Sequence, residues 1–131
     1  GIPLPFGAIH NYRSLIHVDH LADACVVVAQ HPSACYKTYM VSDGEDFSIG
    51  EMISLLAEGM GKKAILLSVP TGVLGFIGRV TGKTAQVQRL TSSLQIDNRA
   101  IRRDLHWLPP VEAREGLRRV GAWFAQPRKT D

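Results

Sequence analysis

Apolar and polar positions along the chain predict most of its elements. Residues 13–18, "RSLIHV", alternate weakly and predict a short strand. Asp19 is placed to cap a helix running to about Gln30, with Pro32 just beyond its end. The centre of that helix, Ala24 to Ala29, is apolar all the way round, the pattern of a helix covered on several sides. Residues 37–43 predict a second strand ending at the turn Asp43-Gly44. Ser48 and Glu51 have capping-box spacing, and Ile49, Met52, Ile53, Leu56 and Met60 then share a helical face until Gly59 and Gly61 stop it. Residues 64–70 predict a third strand. A glycine-rich stretch and a polar helical segment follow, and residues 94–97 predict a fourth strand. A short helix over 98–106 and the turn "WLPP" lead to a last helix with Ala113, Leu117, Val120 and Phe124 at helical spacing. The pattern is that of an α/β domain with four short strands and about five helices.

Composition narrows this picture. The 131 residues suit one domain, 1–131, with a single core. Apolar content of 45% and charged content of 21% are ordinary for a soluble globular protein. Apolar runs fall well short of the roughly 20 residues that span a bilayer, so no membrane partner is expected. The N-terminus has no basic region leading into an apolar core, so no secretory signal is read there. A start at Gly1 rather than methionine suggests a processed or excised piece. Cys25 and Cys35 stand in unlike contexts without metal or redox spacing, which predicts reduced thiols and a cytoplasmic location. The net charge of +3 is local: Arg99, Arg102, Arg103, Arg114, Arg118, Arg119, Arg128 and Lys129 crowd the last third. Nucleic-acid surfaces usually interleave such charge with stacking aromatics, whereas Trp107, Trp123 and Phe124 fall at core-like positions. A solvated helix face is expected instead of a nucleic-acid partner, and a small anionic ligand remains compatible.

Gly72, Gly75 and Gly78 have a spacing with which dinucleotides are held, and Asp97 follows Gly78 by nineteen positions, where a ribose-binding acid is often found. Three features argue against that use. Pro70 occupies the strand-to-helix junction, Gly82-Lys83 interrupts the helix soon afterwards, and only 34 residues follow Asp97, too few to finish a doubly wound sheet. The stretch is expected to be a short apolar helix packed through Val73, Leu74, Phe76, Ile77 and Val80, with no cofactor bound by this chain.

Four segments fall in a recognisable order: "NYRSLIHVDHLADAC", "KTYMVSDGEDFSIGEMISLLAEGMGK", "LLSVP" and "LQIDNRAIRRDLHWLPPVEAREGLRRVGAWF". Together they resemble the C-terminal part of the extended short-chain dehydrogenase family, the nucleotide-sugar epimerases and dehydratases, on its UDP-glucose 4-epimerase branch. That family shows an Arg-x-(Phe/Tyr)-(Ile/Val)-x-Val-x-Asp-Leu-Ala block, a strand ending near Asn-x-(Ser/Gly)-x-Gly, and a Leu-Gly-Trp-x-Pro turn before a last helix. Here His20 replaces the second aspartate of the usual "VDD", Leu15 replaces an aromatic, and His106 replaces the glycine of "LGW".

The resemblance implies a small substrate-binding lobe that lacks the Rossmann domain, cut from a longer enzyme. The parent would be an NAD-dependent UDP-sugar 4-epimerase, with NAD bound by the missing N-terminal domain, a nucleotide-diphosphate sugar as substrate, and a homodimeric assembly. A sugar-nucleotide dehydratase or reductase of the same family is an alternative, as is a non-catalytic nucleotide-sensing or interaction module. The family's Tyr-x-x-x-Lys pair lies upstream. Tyr12, Tyr36 and Tyr39 are followed four residues later by Ile16, Met40 and Asp43, so no catalytic residue is assigned here and the piece alone is expected to be inactive. With a strand edge and the apolar centre of its first helix uncovered, it is also expected to self-associate.

Arg13 matches the family arginine that binds the substrate diphosphate, a role suited to a forked and permanently charged guanidinium. Arg89, ahead of residues 94–97, is a candidate second diphosphate arginine or an ordinary helix-surface charge. Asn11 stands where the family often has a polar residue near the nucleotide. His17, Asp19 and His20 have a local spacing that suggests a metal, but no further clustered ligands complete a set, and capping by Asp19 is the expected role. His10, His31 and His106 predict surface or turn positions, and Trp107 a packing anchor.

Overall fold

The computed structural model describes residues 3–126, with the side chains of Thr71 and Leu74 excepted. Gly1, Arg128, Lys129 and the Leu74 side chain, all invoked above, therefore lie outside the described residues. The fold is mostly helical. Strand β1 (Arg13–Ser14) pairs antiparallel with β2 (Asp46–Phe47), Arg13 opposite Phe47 and Ser14 opposite Asp46. Helix α1 spans Val18–Gln30, α2 Ile49–Gly59, α3 Thr71–Val80, α4 Thr84–Thr91, α5 Arg99–Leu105 and α6 Ala113–Ala125.

The α/β expectation holds in coarse form, and the four predicted strands are corrected. Residues 13–18 keep only two residues in a ladder, because α1 already begins at Val18. Residues 38–43 join no ladder among the described residues, and the strand that forms, β2, lies beyond the Gly44 turn. The third and fourth predicted strands shrink to single parallel bridges, Leu66 with Leu4 and Leu94 with Arg13. Period-two alternation marks an extended segment, but a ladder also needs an aligned neighbour.

Two apolar clusters hold the elements together. One joins Ala24, Ala34, Ile101, Leu105 and Trp107, with Val27, Val28, Tyr39 and Val41 packed at its edge. Trp107 anchors it as expected, its indole Nε1 donating to Asp23 Oδ2 at 2.8 Å. The other joins Phe47, Leu55 and Ala113, with Leu15, Met52 and Leu117 alongside. It seals the contact between α2 and α6, which cross so closely that Gly59 lies on the backbone of Arg118 and Gly121 on that of Leu56. No larger residue fits at that crossing without separating the helices.

The ends of the helices follow local chemistry. The capping box of α2 forms as the sequence predicts: Ser48 Oγ accepts from Glu51 N–H, and the Glu51 carboxylate accepts from Ser48 N–H at 2.9 Å. That donated backbone bond, then the Ser48 hydroxyl, holds the Glu51 carboxyl below its ordinary range. At α1 the predicted cap is corrected. His17 Nδ1, not Asp19, accepts the first-turn N–H, because Asp43 fixes His17 through its backbone, and Asp19 stays exposed in the first turn. The apolar centre of α1 is covered on one side only: Ala24 is buried while Cys25 and Val26 are exposed. Trp123 and Phe124, expected in the core, are both about three-fifths exposed at the end of α6.

Candidate functional site

The site grows from the centre of the small sheet. Leu94 N–H donates to the Tyr12 carbonyl at 2.8 Å and Ser14 N–H donates to the Leu94 carbonyl at 2.9 Å, while β2 pairs on the other side. The Arg13 backbone is thus held from both flanks. Ser14 is buried, donates its hydroxyl to Asp46 and accepts Ile96 N–H at 2.8 Å, which locks the 94–96 segment to β1.

The Arg13 side chain is half-buried, and its Nε is fully buried without a hydrogen-bond partner. Among the described residues it makes no ion pair. The arginines of the last third behave differently. Arg99 pairs with Asp97, Arg103 with Asp104, Arg114 with Glu45, Arg118 with Glu58 and Arg119 with Glu115. Their charge is answered on the surface, as expected of a solvated helix face. Arg102 is the exception, its Nε also buried and unbonded beside Gly44. A guanidinium without an ion-pair partner among the described residues retains its terminal donors for an oxyanion.

Asn11 is 1% exposed and its amide serves the protein itself. Nδ2 donates to the carbonyls of Leu90 and Ser92, each at 3.1 Å, and Oδ1 accepts the Ile49 N–H at 3.0 Å. It clamps the end of α4 and the start of α2 to the segment entering β1. Arg89 is exposed on the last turn of α4, one residue before the carbonyl that Asn11 grips. The fold therefore brings the Arg89 segment alongside residues 11–13.

An open cleft of about 320 Å³ lies elsewhere, between residues 6–10 and the start of α2. Glu51 and Glu58 line it along with His10 and Arg114, the arginine is already paired with Glu45, and the Glu51 N–H is already used by the cap, so it suits a diphosphate poorly. The glycines at 72, 75 and 78 sit inside α3 and make no loop between strand and helix. Gly78 is buried, and a Cβ there would meet Val87 Cγ2 at 2.9 Å; its role is packing against α4. The described residues of this stretch therefore do not fit a dinucleotide pyrophosphate, which needs its glycines in the turn itself.

One constellation was missed as a unit. His20, 4% exposed, places Nδ1 at 2.9 Å from Asp43 Oδ1, while Asp43 Oδ2 accepts the His17 N–H at 3.0 Å. The two imidazoles lie 5.2 Å apart between ring centres. The i, i+3 spacing of the histidines and an aspartate at a turn were the available signals. Among the described residues no group of three or more ligands is arranged for a metal. The carboxylate bridges α1 to the Gly44 turn. His10 and His106 are exposed, the latter in the left-handed conformation that ends α5, and His31 accepts Ser33 N–H in a turn.

Comparison with known proteins bears out the family resemblance. Over 127 residues, 96% of its length, the chain is 39% identical to UDP-glucose 4-epimerase of Vibrio cholerae and spans 39% of that protein. Over 121 residues, 92% of its length, it is 25% identical to an Arabidopsis thaliana protein assigned as GDP-L-fucose synthase 2, spanning 32% of it. The chain thus spans about a third to two fifths of the curated relatives it matches. No protein-family model matches it, and no solved structure matches it significantly.

Proposed function

We propose that residues 1–131 form the substrate-binding part of a longer NAD-dependent nucleotide-sugar 4-epimerase, acting on a UDP-sugar, and that Arg13 holds the substrate diphosphate. The observation that carries this reading is the state of Arg13: a guanidinium without an acid partner among the described residues, its Nε buried and unbonded, on a backbone paired from both sides. The similarity to a UDP-glucose 4-epimerase over nearly the whole chain supports the substrate class. Arg89 is the candidate second contact, and Asn11 acts by fixing the segment that precedes Arg13.

In this reading the chain contributes binding and orientation. Holding the remote diphosphate fixes where the sugar ring sits, so binding energy is spent on positioning the reacting carbon. NAD would be held by other parts of the longer protein and would supply the hydride chemistry there. A cytoplasmic location and a homodimeric enzyme belong to the same proposal. The similarity to a GDP-L-fucose synthase supports a dehydratase or reductase as the second reading.

Steady-state kinetics of the full-length protein test the proposal. Arg13→Lys keeps the charge but loses the fork, and it should raise KM for a UDP-sugar about tenfold or more. Arg89→Ala should raise it less, because an exposed contact is weaker. Unchanged kinetics for both variants on every nucleotide sugar turned over would contradict the assignment.

A further inference from the structure

Helix α3 carries an exposed apolar stripe. It turns a glycine, Gly78, toward α4, while Val73, Phe76, Ile77 and Val80 are exposed. Val73 is 47% exposed, Phe76 68%, Ile77 49% and Val80 72%. Their spacing, i, i+3, i+4 and i+7, places all of them on one stripe. Along the chain, the charge flanking the stripe has one sign. From Gly59 to Ile96 the sequence contains no aspartate or glutamate, yet it carries Lys62, Lys63, Arg79, Lys83 and Arg89. A solvated helix face usually mixes both signs, as the end of this chain does with its five arginine–acid pairs.

We propose that α3 is an interfacial helix whose apolar stripe seats the protein on an anionic lipid surface. Exposed valine, isoleucine and phenylalanine would enter the boundary between headgroups and acyl chains, with Arg79 and Lys83 at the helix end reaching lipid phosphates. Charge complementarity selects this occupant. A bilayer of anionic lipids answers an acid-free cationic segment, while a docking protein surface would have to supply a matching acidic rim. None of the described helices is long and apolar enough to cross a membrane, so the association is peripheral. The absence of a membrane partner expected from apolar runs concerned spanning segments, and a four-residue stripe escapes that criterion.

Sedimentation of the full-length protein with lipid vesicles tests this. The protein should partition onto phosphatidylcholine vesicles containing phosphatidylglycerol, far less onto phosphatidylcholine alone, and the partition should weaken as salt rises. Phe76→Asp, at an exposed position that leaves the fold intact by circular dichroism, should weaken binding at least tenfold. Arg79→Glu and Lys83→Glu should each weaken it about fivefold or more. Equal partition onto both vesicle types, or none, overturns the proposal. So does a Phe76→Asp variant whose mass in light scattering falls while vesicle binding stays absent, which assigns the stripe to protein contact.

Discussion

Asp43 lies against His20 with Oδ1 2.9 Å from the imidazole Nδ1, both side chains being almost wholly buried. The same carboxylate accepts the His17 N–H, so one side chain holds the start of α1 to the Gly44 turn. Asp43→Ala leaves the His20 nitrogen and the His17 amide without their partner, and each orphaned group costs about 1–3 kcal/mol. The expected loss in urea unfolding is therefore about 2–6 kcal/mol. His20→Asp, which restores the usual family residue, should be at least as damaging, because it sets two buried carboxylates side by side. Wild-type midpoints for both variants would show that the pair carries no structural weight.

The glycines separate into two kinds, and alanine substitution tells them apart. Gly121→Ala meets the Leu56 backbone where α6 crosses α2 and should destabilise by about 1–3 kcal/mol. Gly75→Ala has nothing within 4 Å and lies mid-helix, so it should stabilise by about 0.5–1 kcal/mol. Gly75→Ala should also leave nicotinamide binding untouched. Titration of this chain with NADH, followed by nicotinamide fluorescence, should show no saturable binding. Micromolar binding abolished by the substitution would return these glycines to a cofactor role.

Acid should unfold the protein partly through Asp104. Hydrogen bonds from Arg103 and then Lys37 hold its carboxyl at about 2, and Arg99 does the same for Asp97. A carboxyl depressed in the folded state stabilises fully above its unfolded value, about 4, and that contribution is lost as pH falls toward 2. Melting temperatures should drop across that window, and Asp104→Asn should flatten the drop. An unchanged acid limb in the variant would mean that these exposed pairs do not couple to folding.

This chain, taken alone, should self-associate. Val26 is half-exposed on α1, and an apolar groove on the same helix is lined by Leu21, Cys25, Val28, Tyr39 and Val41. Exposed apolar surface of this kind favours pairing between copies. Light scattering across a concentration series should report a dimer or larger species. A monomer at high micromolar concentration with no affinity for a hydrophobic dye would contradict this.

What was legible in the sequence was whatever local chemistry determines. Ser48 and Glu51 announced the cap of α2, Trp107 announced an anchor, and helical periodicity located α2 and α6. The ladders were not legible, since residues 37–43 and 64–70 read as strands from composition and bounding turns but receive little or no pairing among the described residues. The cap of α1 was misread because Asp43, 26 residues beyond His17, decides which side chain turns inward. Trp123 and Phe124 sit at helical spacing, and periodicity alone does not say what covers a stripe. At the site, the family motif singled out Arg13, while its lack of an acid partner among the described residues depends on tertiary packing. The burial of Asn11 likewise required knowing where residues 90–92 return.

The central claim rests on Arg13, and calorimetric titration of the full-length protein with UDP tests it most directly. Removing a charge-assisted contact to phosphate should cost about 1.5–3 kcal/mol, so Arg13→Ala should weaken UDP binding about ten- to hundredfold. The nucleoside uridine, which lacks the diphosphate, should bind the wild type and the variant alike. An unchanged UDP dissociation constant in a folded Arg13→Ala protein would contradict the account and leave Arg13 as a residue of the sheet alone.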